Sequence, residues 1–179
     1  DGNSAYNQND EPVLEQKYAR GHAVRANYMY SAMTDVAILL KDTQYKAAVE
    51  QLWEDVVGTK LYITGGFGAR YDGESYGDAY ELTNASYAET CAAIAGVYWN
   101  QRMFLLNGHA KYIDVLERIL YNGLISGISL DGMKFFYPNP MTADGAFHFN
   151  QGNPGRSEWF DCSCCPTNDV RFMSSVPAY

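Results

Sequence analysis

The sequence has no apolar run of about 18 residues, so it offers no helix able to cross a membrane. It is short of positive charge, with 13 Lys and Arg against 21 Asp and Glu and a net charge of −8. A surface of that sign repels phosphate backbones, which argues against a nucleic-acid partner. Charged residues make up only 19% while apolar residues reach 47%, a balance that excludes disorder. No internal repeat and no dinucleotide-binding pattern is present. Gly65-Gly66-Phe67-Gly68 lacks the strand and helix that give such a pattern meaning. A second Cys-x-x-Cys pair is also missing, so the cysteines do not spell a zinc finger. The chain starts at Asp1 with neither Met nor a signal-like segment, and stops at Tyr179 after an apolar stretch. It is expected to be a processed chain or a fragment, and its composition fits the cytoplasm and export alike.

What is present is enough for one medium domain: 179 residues, 15% aromatic, with 15 Tyr. Residues 1–17 read as a polar loop. Apolar residues recur at helical spacing from about Tyr18 to Leu40 through Val24, Tyr28, Ala32, Val36 and Leu39. A second helix is expected from Tyr45 to Val57, with Asp42 or Thr43 as its N-cap and Gly58 as its stop. A third runs from about Tyr87 to Leu106 before Gly108, and a fourth from Lys111 to Ser126. Phe135-Phe136-Tyr137 reads as a short strand, and Pro166 opens a last helix. The stretch from Gly65 to Asn84 and residues 138–161 are long loops, which in compact domains usually carry function. Successive helical hairpins point to an all-α toroid or bundle.

The sharpest local feature is Cys162-Ser163-Cys164-Cys165-Pro166, with Cys91 far upstream in Ala88-Glu89-Thr90-Cys91. One reading is buried thiols, or a disulfide from Cys91 to the cluster. The other is a soft metal site, because thiolates select zinc and zinc takes about four N, S or O ligands. Glu89 with three cysteines completes such a set. Glu89 and Cys91 are two residues apart and fall on opposite sides of a regular helix, so they share a metal only at an irregular helix start. Glu74 lies among glycines and tyrosines in Tyr71-Asp72-Gly73-Glu74-Ser75-Tyr76-Gly77. Aromatic faces beside a carboxylate are a common way to build a carbohydrate site. His22, near a helix start, reads by itself as structural, and Glu117 as a solvated helix position.

Taken together, these segments resemble the family 127 glycoside hydrolases, the β-L-arabinofuranosidases. The matching pieces are Gly21-His22-Ala23-Val24-Arg25-Ala26, Leu61-Tyr62-Ile63-Thr64-Gly65-Gly66, Gly73-Glu74-Ser75, Tyr87-Ala88-Glu89-Thr90-Cys91-Ala92, Val115-Leu116-Glu117-Arg118, Ser129-Leu130-Asp131-Gly132, Phe136-Tyr137-Pro138-Asn139-Pro140 and Trp159-Phe160-Asp161-Cys162-Ser163-Cys164-Cys165-Pro166. They fall in the family's order. The resemblance implies an (α/α)6 barrel and retaining hydrolysis of terminal β-L-arabinofuranosides, with another furanoside or sugar as a variant within the family. It implies Cys164 as nucleophile, Glu74 as acid/base, Zn2+ on Glu89, Cys91, Cys164 and Cys165, and sugar contacts at His22, Glu117 and Tyr137. Cys162 stays outside the metal's ligands. The segment Leu82-Thr83-Asn84-Ala85-Ser86 is one residue shorter than the family pattern. Family members are several times longer, so residues 1–179 are expected to form part of the barrel, without its N-terminal part and without the β-sandwich domains. Apolar helix faces would then be left exposed, for self-association or for the missing barrel part. An alternative of another class is a non-catalytic, zinc-stabilised carbohydrate-binding fragment.

Overall fold

The computed structural model of the chain describes residues 4–179. Five α-helices make up its frame: α1 Ala23–Leu40, α2 Thr43–Thr59, α3 Thr90–Asn107, α4 Ala110–Arg118 and α5 Cys164–Met173. The chain is all-α, as the periodicity predicts. Among the described residues the only β contacts are isolated bridges. No helix among the described residues is long and apolar enough to cross a membrane.

The central element is α3. Every residue from Thr90 to Val97 is buried, on all sides of the helix. A helix apolar all round has to be enclosed, and α1, α4 and α5 enclose it. Its small residues permit this: a side chain on Gly96 would meet the Phe67 ring at 2.3 Å. Tyr30 of α1 lies against Trp99 of α3 at 4.9 Å between ring centres. Trp53 of α2 donates to Asn100 Oδ1 of α3 at 2.8 Å. α1 is joined to α2 by a break of two residues, and α3 to α4 by Gly108 and His109, so each pair folds back as a helical hairpin.

Several boundaries differ from expectation, each for a local reason. The loop foreseen over 1–17 is seen as turns from residue 4 onward, and residues 1–3 lie outside the described residues. α1 starts at Ala23 rather than Tyr18, because Gly21 takes φ +69 and His22 caps the helix. Asp42 is the N-cap of α2, accepting from the Gln44 and Tyr45 amides, and Gly58 does not stop that helix. The fourth helix is not continuous to Ser126. After Arg118 it widens into a π-turn over Ile119–Leu124 and tightens into a 3-10 turn over Ile125–Gly127. The widened turn brings Gly123 onto the Gly65 backbone, 2.9 Å from where a Cβ would sit. Phe135 forms no strand, only bridges to Ile128 and Ser157. α5 begins two residues before Pro166, which sits in its first turn, where no helical hydrogen bond is lost.

The C-terminal ends of α1 and α3 carry an apolar surface, with Leu39, Leu40 and Leu105 all exposed. Leu39 and Ala32, which the helical spacing assigns to the apolar stripe of α1, are exposed; the buried face of α1 runs instead through Ala23, Ala26, Tyr30, Met33 and Ala37, because small residues let α1 lie close against α3.

Candidate active site

Three helix starts meet at one place: α1 with His22, α3 with Glu89 and Cys91, and α5 with Cys164 and Cys165. Free N–H groups and the positive end of the helix dipole make each start favourable for negative charge. Glu89 is the N-cap of α3, with extended rather than helical backbone. That resolves the spacing problem, since Glu89 and Cys91 converge at an irregular helix start. The preceding Ala88 is held in the left-handed region, at φ 43, by its N–H bond to Gly68 O at 2.8 Å. For a residue with a side chain, that conformation is a strain stored beside the site.

One potential ligand atom from each of Glu89, Cys91, Cys164 and Cys165 lies within 4.8 Å of every other. Cys91 Sγ is 3.2 Å from Cys164 Sγ. Glu89 Oε1 is 3.5 Å from Cys164 Sγ and 3.4 Å from Cys165 Sγ. None of the cysteines is in a disulfide. Hydrogen bonding with the neighbouring Cys165 and Cys91 holds the Cys164 thiol well below the ordinary range, against the opposing effect of burial. Tyr137 and Glu89 push in the same direction. The Cys91 thiol is raised by its hydrogen bond with Cys164, and Cys165 mainly by burial. Burial, then the charges of Glu74 and Cys164, push the Glu89 carboxyl well up. Its Oε2 is buried with no hydrogen-bond partner. A carboxylate and three sulfurs gathered this closely, with one carboxylate oxygen left unpartnered, make a donor set that a cation would satisfy, so the cluster can hold a metal ion.

Glu74 belongs to the loop between α2 and α3. Tyr76 N donates to Gly21 O at 2.9 Å and Tyr76 Oη to Asn27 Oδ1 at 2.6 Å, pinning the loop to the start of α1. Gly73 and Glu74 both have positive φ, 62 and 49, and this turns the carboxylate inward. Glu74 Oε2 lies 3.0 Å from His22 Nε2, and Glu74 Oε1 accepts from Tyr87 Oη at 2.9 Å. The His22 bond, with help from Tyr87, lowers the Glu74 pKa against burial.

His22, Glu74 and Glu89 also form a cluster with potential ligand atoms within 4.8 Å. The imidazole decides what that cluster is. His22 Nδ1 accepts from the Val24 and Arg25 amides as the cap of α1, at 3.2 and 3.5 Å. The neutral ring therefore carries its proton on Nε2 and donates it to Glu74. Binding a cation through Nε2 while Nδ1 caps would require an imidazolate. His22 and Glu74 are thus a hydrogen-bonded pair, and Glu89 is the residue they share with the cysteine cluster.

The catalytic-domain model of the GH127 β-L-arabinofuranosidases matches residues 2–178. The chain belongs to glycoside hydrolase family 127. It is 39% identical over 179 residues to a non-reducing end β-L-arabinofuranosidase of Bifidobacterium longum, covering 97% of this chain and 27% of that protein. A solved GH127 β-arabinofuranosidase is 55% identical with a TM-score of 0.90, over 97% of this chain and 26% of that one. A GH127 β-L-arabinofuranosidase from Geobacillus stearothermophilus T6 is 48% identical with a TM-score of 0.93, over 100% of this chain and 29% of that one. The chain thus spans between a quarter and a third of the length of these relatives.

The GH127 motifs named in the sequence converge unevenly. His22, Glu74, Glu89, Cys91, Cys164 and Cys165 come together, and Tyr137 lies buried beside Cys164. Cys162 is exposed and outside the thiolate cluster. Glu117 is exposed in the last turn of α4, and no described contact joins it to this group. Two residues at the site carry no sequence-derived role. Tyr87 holds Glu74, and its place two residues before Glu89 was the available signal. Asp169 is fully buried on α5 with both oxygens unpartnered, and burial, then the charge of Cys164, raises it to about 8. Nothing in the sequence marks it.

Proposed function

We propose that this chain carries the reacting groups of a retaining glycoside hydrolase acting on terminal β-L-arabinofuranosyl groups of glycans. The observation that supports it best is the position of the two groups the reaction needs. The Cys164 thiolate and the Glu74 carboxylate each approach the same buried carboxylate, Glu89, from opposite clusters. In this reading Glu89, Cys91, Cys164 and Cys165 hold a zinc ion, which keeps the thiolates ionised at neutral pH and orients them. Tyr137, His22 and Glu117 contact the sugar.

The Cys164 sulfur attacks the anomeric carbon as the carbon's bond to the leaving oxygen breaks, and Glu74, entering this step in its protonated form, gives that oxygen its proton. Glu74 then takes a proton from water, the water oxygen attacks the anomeric carbon, and the carbon–sulfur bond breaks to return the thiolate. Two inversions leave the configuration retained. Tyr87 and the tautomer-locked His22 keep the Glu74 carboxylate in place through both steps.

The length relation favours a second reading for the chain in isolation. The five helices would be part of an (α/α)6 barrel whose other helices, and the β-sandwich domains, lie outside this chain. The exposed apolar ends of α1 and α3 would face that part or a second copy. Residues 1–179 would then bind zinc and sugar without turnover. One experiment separates the readings: metal analysis together with release of arabinose from a chromogenic β-L-arabinofuranoside. About one zinc per chain with chelator-sensitive hydrolysis supports the first. Zinc without hydrolysis supports the second, and absence of bound zinc rejects both.

A further inference from the structure

Glu74 and Tyr137 also border a cavity of about 670 Å³ whose wall runs on through Gln151, Asn153, Trp159 and Asp161. Its size falls inside the range of about 300–1,000 Å³ typical of small-molecule sites. It begins at the groups that touch the thiolate cluster and extends away from them. No basic side chain lines it, and its charged groups are the carboxylates Glu74 and Asp161. An anionic ligand is disfavoured there, whereas a neutral hydroxylated one finds two amide side chains able to donate and accept.

The far wall is an ordered loop. Asn150 is fully buried, accepts from Tyr137 N at 2.8 Å, and donates to Phe135 O at 3.1 Å and Gly155 O at 2.8 Å. Phe135 and Ser157 exchange backbone hydrogen bonds of 2.8 and 3.0 Å. The next residue after Asn150, Gln151, sits at φ 52, a strained conformation of the kind that clusters at ligand sites. Phe160 turns inward, 7% exposed, and meets Tyr137 edge-on at 5.6 Å, whereas its neighbour Trp159 is 58% exposed. The loop thus holds a large flat apolar face open to solvent at the cavity rim, which solvent alone does not favour.

We infer that Trp159, with Gln151 and Asn153, forms a leaving-group subsite for a neutral sugar unit, its C–H face against the indole and its hydroxyls on the amides. This rests on the hydrolase reading, because Glu74 must reach the departing oxygen while the sulfur attacks the anomeric carbon from the opposite side. The attacked sugar then lies toward Cys164, and what departs lies toward Trp159.

The test compares wild type, Trp159→Ala and Trp159→Phe on two substrates with the same attacked sugar: a β-L-arabinofuranosyl disaccharide and methyl β-L-arabinofuranoside. For Trp159→Ala, kcat/KM on the disaccharide should fall about tenfold. The methyl glycoside should stay within about twofold, and Trp159→Phe should recover part of the loss. Equal losses on both substrates, or none on either, overturn the subsite. Where wild type hydrolyses neither substrate, the hydrolase reading fails for this chain, and fluorescence decides the subsite separately. Trp53 and Trp99 are buried, at 4% and 0% exposure, so acrylamide quenching reports Trp159. Protection by the disaccharide but not by the methyl glycoside sustains the subsite. Absence of protection at saturating disaccharide overturns it.

Discussion

The two ends of the α1–α3 pair differ in what they ask of the chain. At the C-terminal end the helices stop on ordinary caps, Lys41 and Gly108 in the left-handed region, and show Leu39, Leu40 and Leu105 to solvent. At the N-terminal end the caps are His22 and Glu89, residues with chemistry of their own. Glu74, Ala88 and Gln151, three non-glycine residues with positive φ, surround that end. Orphaned carboxylate oxygens of Glu89 and Asp169 collect there as well. The middle of the bundle, around Tyr30, Trp53 and Trp99, is close-packed and aromatic, although the Tyr30 hydroxyl and the Trp99 N–H are buried there without a hydrogen-bond partner. Stability is concentrated mid-helix, and strain and unsatisfied charge at the helix starts, the division expected when a rigid scaffold holds a reactive site.

The largest effects should separate these regions. Cys164→Ser replaces a thiolate by a far less acidic hydroxyl and should reduce turnover by about 10³-fold or more in the folded fraction. Trp99→Ala should do the reverse: about 3–5 kcal/mol of stability lost in denaturant titrations, with kcat/KM of the folded fraction little changed. A Cys164→Ser protein with wild-type rates would break the comparison and leave the thiolate structural.

Asp169 sharpens it. Its folded pKa of about 8 is raised above the usual value near 3.9 of an unfolded chain. The stability it allows is therefore fully present below about pH 4 and lost as pH rises toward and through 8. Asp169→Asn keeps the shape without the ionisation. Melting temperatures at pH 5 and pH 9 should differ less in Asp169→Asn than in wild type, the gain at pH 9 being about 1–3 kcal/mol. Identical pH dependence in both proteins would show that Asp169 is not buried unpaired.

The smallest expected effect concerns Tyr87. Its hydroxyl donates to ionised Glu74 and helps lower that pKa. Tyr87→Phe removes the donor, so the Glu74 pKa should rise. The limb of the pH–rate profile on which activity falls with increasing pH should move to higher pH, by about a unit or less. A shift to lower pH would mean that the hydroxyl stabilises the protonated acid instead.

Much of the frame was legible in the chain. The presence of α1 to α3, the buried face of α2, the Asp42 cap and the Gly108 stop follow from spacing and local backbone chemistry, which act over a few residues, whereas the stripe from Val24 to Leu39 is not the buried face of α1. The start of α1 was misplaced because His22 caps in a place where Ser or Asp is the usual signal. The π-turn after Arg118 was not legible because it depends on Gly123 meeting the Gly65 backbone, far away in sequence.

For the site, the sequence alone determined the inventory: Glu74, Glu89 and four cysteines in motifs that name a family. Tertiary structure decided their partnerships. It put Glu89 outside the helix so that it faces the same point as Cys91, separated Cys162 from Cys164, and left Glu117 at the surface away from any described contact. It also determined which His22 nitrogen carries the proton, because that depends on two amides at the start of α1 and a carboxylate from a loop about 50 residues further along. Residue types set which bonds a group can make; only the packing of three helix starts against one another sets which of those bonds are within reach.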